Sequence, residues 1–189
     1  QRAEAIVPGD PLDADCQFGP LASEAQLKRV LSYIERGKKD GARLIHGGEK
    51  CRKDSGGFFL QPTVFTDVDE HSCLATEEIF GPVLSITIFR DEAEAVRLAN
   101  ATPYGLAATV WTRDVGLGEA MAHRIVAGVV TVCNDCSPGT GGGMALASEP
   151  AKLSGYGVQG GVHGTYPYTR LKAVQHFLAG RGFREAAGC

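Results

Sequence analysis

The sequence predicts an α/β protein with a mostly parallel sheet flanked by helices. Three observations lead to this class. Short apolar runs of strand character, at Val83–Phe89, Leu106–Trp111 and Val129–Val132, alternate with longer segments of helical periodicity. That alternation reads as strands joined by helical crossovers. Gly and Pro stand at the junctions, in Gly81-Pro82, Pro103-Tyr104-Gly105 and Gly128. The composition, 43% hydrophobic and 22% charged over 189 residues, suits a chain that buries one substantial core.

The elements follow in order. Gln1 to Pro20 is turn-rich, with breakers at Pro8-Gly9-Asp10-Pro11 and Gly19-Pro20. Ser23 with Gln26 three residues on has the form of a capping box. Leu27, Val30, Leu31 and Ile34 then recur at helical spacing, and Gly41 closes the helix. Lys28, Arg29, Lys38 and Lys39 lie mostly on the other face, where a solvated charge surface is expected. Ala42–His46 is a short strand. Phe58–Phe65 is extended, although Pro62 argues against an ordinary central strand. Asp91 caps a helix with Glu94 at its third position. Asp114–Val126 reads as a further helix before the strand Val129–Val132. After Asn134 periodicity is lost until Tyr168, and Thr169–Ala179 fits neither period cleanly. The division expected is 1–167 for the main domain and 168–189 for a terminal segment.

The formal net charge of −3 argues against nucleic-acid binding, which usually needs a basic face. No apolar run approaches the roughly 20 residues of a membrane span, and no secretory leader pattern opens the chain. The six cysteines are scattered, which fits a reducing cytoplasm. Cys133 and Cys136 have CxxC spacing, so an independent metal or redox site is one alternative. No second CxxC accompanies them, and a structural zinc site needs four ligands. The glycines from Gly139 to Gly143 lack the Lys-Ser or Lys-Thr of a phosphate loop. We therefore assign no metal ligands.

The densest motif is Glu77-Glu78-Ile79-Phe80-Gly81-Pro82-Val83. A carboxylate at a strand end in an α/β fold is placed to accept hydrogen bonds from sugar hydroxyls. A neighbouring Phe offers a flat ring a wall. Further anchors are Gly9-Asp10-Pro11-Leu12-Asp13, Gly19-Pro20-Leu21, Gly37 to Ala42, Gln61-Pro62-Thr63-Val64, Tyr104 to Ala108 and Leu153-Ser154-Gly155-Tyr156-Gly157. In this order and spacing the chain, from about Val7 to Val174, resembles the C-terminal part of the NAD(P)-dependent aldehyde dehydrogenase catalytic domain.

The resemblance implies oxidation of an aldehyde to a carboxylic acid with NAD or NADP. A cysteine thiolate forms a thiohemiacetal, hydride leaves to the nicotinamide, and a glutamate-activated water releases the acid. It implies that Glu78 binds the nicotinamide ribose, and that Phe80 and Leu106 lie near the nicotinamide ring. Gln26 and Arg29 match residues that reach the adenosine ribose, and Glu77 is structural. The nucleophile of the family stands in a Gly-Gln-x-Cys segment before Gly9, and none of the six cysteines here occupies such a motif. The chain alone is therefore expected to be inactive, with no catalytic residue of its own.

Two departures fall near the substrate region. The family has Val-Asn at the end of the strand that here holds Val129–Val132, and that Asn helps form the oxyanion hole. In this chain Cys133 intervenes and Asn134 comes one position later, a shift that reverses the side-chain face in an extended strand. The Pro-Phe-Gly-Gly-x-Lys segment is also absent, with Pro150 and Lys152 as its remnants. Expected partners are the aldehyde, other copies in a homo-oligomer, for which the resemblance implies an oligomerisation-like segment and tail at 168–189, and the missing N-terminal part. The alternative is a non-catalytic remnant that associates with family subunits through a sheet edge.

Overall fold

A computed structural model of the chain describes residues 2–134 and 146–176. The chain opens with a single helical turn, α1 (Arg2–Ala5). The first long element is α2 (Glu24–Lys39). Its N-cap is Ser23, whose hydroxyl accepts a hydrogen bond from the Gln26 N–H at 3.1 Å. Its end is set by Gly41 at φ +90°, which lets the Ala42 N–H return to the Gly37 carbonyl. Leu27, Val30, Tyr33 and Ile34 are buried, and each apolar side chain so removed from water stabilises the fold by roughly 1.5–3 kcal/mol.

These residues pack on a three-stranded sheet of β1 (Arg43–His46), β2 (Thr63–Thr66) and β3 (Val83–Ser85). β1 pairs antiparallel with β2, and β2 pairs parallel with β3. Pro62 directly precedes β2, which is nonetheless the middle strand. The proline lies outside the paired residues, so no ladder hydrogen bond is lost. Phe65 is fully buried on the face that meets α2. The run after Ser85 stays bonded through Ile86 N–H to Phe65 O and Val68 N–H to Ile86 O, but regular strand structure ends at Ser85.

The short helix α3 (Cys73–Thr76) sits under α2. α4 (Glu92–Ala101) is capped by Asp91, which accepts from the Glu94 N–H at 2.9 Å. β4 (Tyr104–Gly105) pairs antiparallel with β7 (Ala151–Lys152). β5 (Ala107–Trp111) and β6 (Val129–Cys133) form a parallel pair, covered on one side by α5 (Val115–Ala122). α5 ends at His123, about one turn before the expected limit at Val126. Residues 169–176 carry no regular element, and 177–179 lie outside the described residues.

The α/β class is thus as expected. The parallel pairs are those joined by helices, β2 to β3 through α3 and β5 to β6 through α5. The antiparallel pairs are added at β1 and at the late return of β7. No helix among the described residues is long and apolar enough to cross a membrane.

Candidate functional site

The site is a loop held by a helix. Gln26, Arg29, Tyr33 and Arg36 recur along one stripe of α2 and face residues 77–80. The Gln26 side-chain amide donates to the carbonyls of Ile79 at 3.0 Å and Phe80 at 2.9 Å. The Arg29 guanidinium donates to the Glu78 carbonyl at 3.1 Å. Three consecutive backbone oxygens are thereby tied down by two side chains.

Glu77 is fixed by its carboxylate instead. Arg36 donates to one oxygen at 2.7 Å, and the Tyr33 hydroxyl donates to the other at 2.7 Å. Arg36 and then Tyr33 hold the Glu77 carboxyl below the ordinary carboxylate value. Arg29 and Arg36 also lie over the Tyr33 ring, 5.6 Å and 5.1 Å from its centroid.

The backbone of this loop alternates its side chains. Ile79 is buried in the α2 core, whereas Glu78 is exposed and Phe80 is 77% exposed. Phe80 has φ +57°, a conformation that costs a bulky residue of order 1–3 kcal/mol. Gly81 follows because the helix is close there: a Cβ would stand 2.6 Å from Val30 Cγ2. Pro82 O then accepts from Thr63 N–H at 2.8 Å and starts the β2–β3 ladder. The result is an outward carboxylate and an outward aromatic ring on a fixed backbone.

Leu106 lies elsewhere, between β4 and β5. It lines an open cavity of about 700 Å³ with Pro150, Ser154, Tyr156 and Tyr168 among its walls. Asn134 is exposed directly after β6. Lys152, at φ +56°, donates to the carbonyls of Asn100 at 2.9 Å and Thr102 at 3.1 Å, so it fastens β7 to the end of α4.

Cys16, Cys51, Cys73 and Cys133 are free thiols. Burial pushes the Cys51 and Cys73 thiols up. Cys136 lies outside the described residues, so the CxxC spacing receives no geometry. Among the described residues no group of three or more His, Cys, Asp or Glu is placed to hold a metal ion.

Comparison with known proteins gives the family and the fold. The model of the aldehyde dehydrogenase family matches residues 1–174. The chain belongs to the aldehyde dehydrogenase family. It is 43% identical over 177 residues to betaine aldehyde dehydrogenase 1 of Rhizobium meliloti (strain 1021), covering 92% of this chain and 35% of the relative. Among solved structures it is similar to an indole-3-acetaldehyde dehydrogenase complexed with NAD+, with a TM-score of 0.82 and 40% identity. That match covers 89% of this chain and 33% of the other. The aldehyde dehydrogenase KauB of Pseudomonas aeruginosa matches at a TM-score of 0.82 with 42% identity, over 90% of this chain and 34% of the other. The chain therefore spans about a third of the length of these aldehyde dehydrogenases.

Of the residues singled out from the sequence, Gln26, Arg29, Glu78 and Phe80 meet in one place. Leu106 and Asn134 belong to the β4–β6 region. Gln26 and Arg29 turn their side chains to the loop backbone, and Arg29 is more than one charge on a solvated face. Tyr33 and Arg36 were missed. Their signal was the spacing Gln26, Arg29, Tyr33, Arg36, a polar stripe beside the apolar one on an aldehyde dehydrogenase helix.

Proposed function

We propose that this chain supplies the nicotinamide end of the cofactor site in an NAD(P)-dependent aldehyde dehydrogenase that oxidises an aldehyde to a carboxylic acid. The observation that carries this reading is the 78–80 loop. α2 fixes its backbone and leaves Glu78 and Phe80 directed outward. Such a pair fits a nicotinamide riboside. The Glu78 carboxylate accepts from ribose hydroxyls, and the Phe80 ring gives the base a flat wall. The strained backbone at Phe80 is consistent with a functional demand on where that ring stands.

When bound, NAD(P)+ supplies the hydride acceptor. Gln26 and Arg29 act through the loop, holding the carbonyls behind Glu78 and Phe80. Leu106 contributes an apolar contact to the nicotinamide side from the link between β4 and β5. Asn134 is a candidate donor to the developing oxyanion. Residues 168–189 serve assembly into a homo-oligomer, in a reducing, cytoplasmic setting. The relatives named for betaine aldehyde and indole-3-acetaldehyde make these two the aldehydes to try first.

The purified 189-residue chain should form no NADH from NAD+ and either aldehyde. Steady NADH production abolished by replacing one of its cysteines would contradict the expectation. To test the loop itself, residues 1–174 are grafted in place of the matching third of the Rhizobium meliloti enzyme. Glu78→Gln in the graft should raise KM for NAD+ by about 10-fold or more, the worth of a charge-assisted hydrogen bond. An unchanged KM for NAD+ would remove Glu78 from the cofactor site.

A further inference from the structure

Glu77 makes no contact in the nicotinamide site proposed above, yet two side chains of α2 hold its carboxylate. One of them, Tyr33, is a fixed post. Its ring is buried in the core, and its hydroxyl reaches the loop. The other, Arg36, lies over that ring. The bonds around Tyr33 close into a circuit. The Arg29 guanidinium donates to the Tyr33 hydroxyl at 3.4 Å and to the Glu78 carbonyl at 3.1 Å. The Tyr33 hydroxyl donates to Glu77, which is joined to Glu78 by the chain itself. The short helix before Glu77 is seated on α2 by Leu74, which fills the space a Cβ on Gly37 would take. Leu74 precedes Glu77 by three residues, the spacing of one helix face, so both meet α2.

Glu77 has extended backbone, with φ −111° and ψ 147°. Adjacent side chains of an extended backbone point to opposite sides. Turning the Glu77 carboxylate toward α2 therefore turns Glu78 away, to the exposed side where it stands. The carbonyls held by Gln26 and Arg29 belong to the peptides after residue 78. The direction of the peptide before it is set at Glu77. An ion pair whose side chains are 50% and 43% exposed adds only modestly to stability. Its larger effect is on direction.

We infer that Arg36, Tyr33 and Glu77 are positioning residues for the cofactor: the clamp on one carboxylate aims the next, Glu78, at the nicotinamide ribose. The inference deepens the dehydrogenase reading and rests on it. Loss of the clamp leaves Glu78 and Phe80 in place as residues but lets the carboxylate swing. Cofactor binding then weakens equally in the ground state and the transition state, so KM rises while kcat holds.

The test uses the graft into the Rhizobium meliloti enzyme, with Glu78→Gln as the reference for cofactor contact. Arg36→Ala and Glu77→Gln should each raise KM for NAD+ by about 3-fold or more, with kcat and KM for the aldehyde within about 2-fold. Tyr33→Phe, which keeps the buried ring and removes the hydroxyl, should act in the same direction. Arg36→Lys keeps a cationic donor and should recover most of the loss. Arg36→Ala with Glu77→Gln should cost no more than either alone, because both remove one clamp. Asp91→Ala removes the cap of α4, outside this network, and should leave KM for NAD+ unchanged. In the full 189-residue chain, the Glu77 N–H is bonded to the Cys73 carbonyl. Its hydrogen exchange should quicken in Arg36→Ala and not in Asp91→Ala.

An unchanged KM for NAD+ in Arg36→Ala and Glu77→Gln, with Glu78→Gln raising it, overturns the inference and leaves the cofactor reading standing. An unchanged KM in Glu78→Gln removes the cofactor reading and the inference together. A fall in kcat with a rise in both KM values marks general loss of fold and overturns the inference. So does exchange at Glu77 that stays the same without Arg36.

Discussion

At the scale of single residues, neighbouring side chains of one loop take opposite tasks. Glu77 and Glu78 are adjacent carboxylates with different fates: Arg36 and Tyr33 take the first, and the second is left outward. The pKa of Glu77 is lowered in the folded state, so its contribution to stability is present above the ordinary carboxylate value. It is lost as pH falls through the lower folded value. Glu77→Gln should therefore lower Tm at neutral pH and flatten this part of the acid limb; thermal melts at a series of acidic pH values check it. Gly81→Ala should destabilise the chain by about 1–3 kcal/mol in urea unfolding, since its Cβ would meet the stiff, fully buried Val30 at 2.6 Å. Cys73 is buried with its thiol pushed up, so iodoacetamide at neutral pH should modify it last among the described cysteines, as read by peptide mass mapping.

At the scale of elements, α2 is both a core helix and the holder of the 77–80 loop. Its buried stripe and its polar stripe run side by side, which is why one helix can serve both. A second fastening joins α4 to the β4–β7 region. The Asn100 amide donates to Arg124 O at 2.9 Å and accepts from Val126 N–H at 2.8 Å, while Lys152 reaches the Asn100 carbonyl. Asn100→Ala removes both side-chain bonds at a solvent-accessible site and should cost about 1 kcal/mol by denaturant unfolding, with Asn100→Asp losing less because it keeps the acceptor. Caps and helix faces were legible in the sequence: Ser23, Asp91 and Gly41 stand where their residue types demand. The end of α5 was not, because Val126 continues the apolar pattern while its N–H is taken by Asn100, a partner distant in sequence.

At the scale of the whole molecule, the parallel pairs β2–β3 and β5–β6 and the 77–80 loop held by α2 belong to one family architecture.

By itself the sequence determined the family and the α/β class, through motifs and periodicities that are local in the chain. The motif Glu77 to Pro82 was legible too, since it is contiguous. Only the tertiary structure decided which atoms of Gln26, Arg29 and Arg36 are engaged, and by what. Those bonds span residues 41 to 54 positions apart, and helical spacing shows which face a side chain occupies but not what the fold brings against it. Which side of a strand is covered was hidden for the same reason. An apolar run reads alike whether one side of it is covered or both, and only packing separates the two.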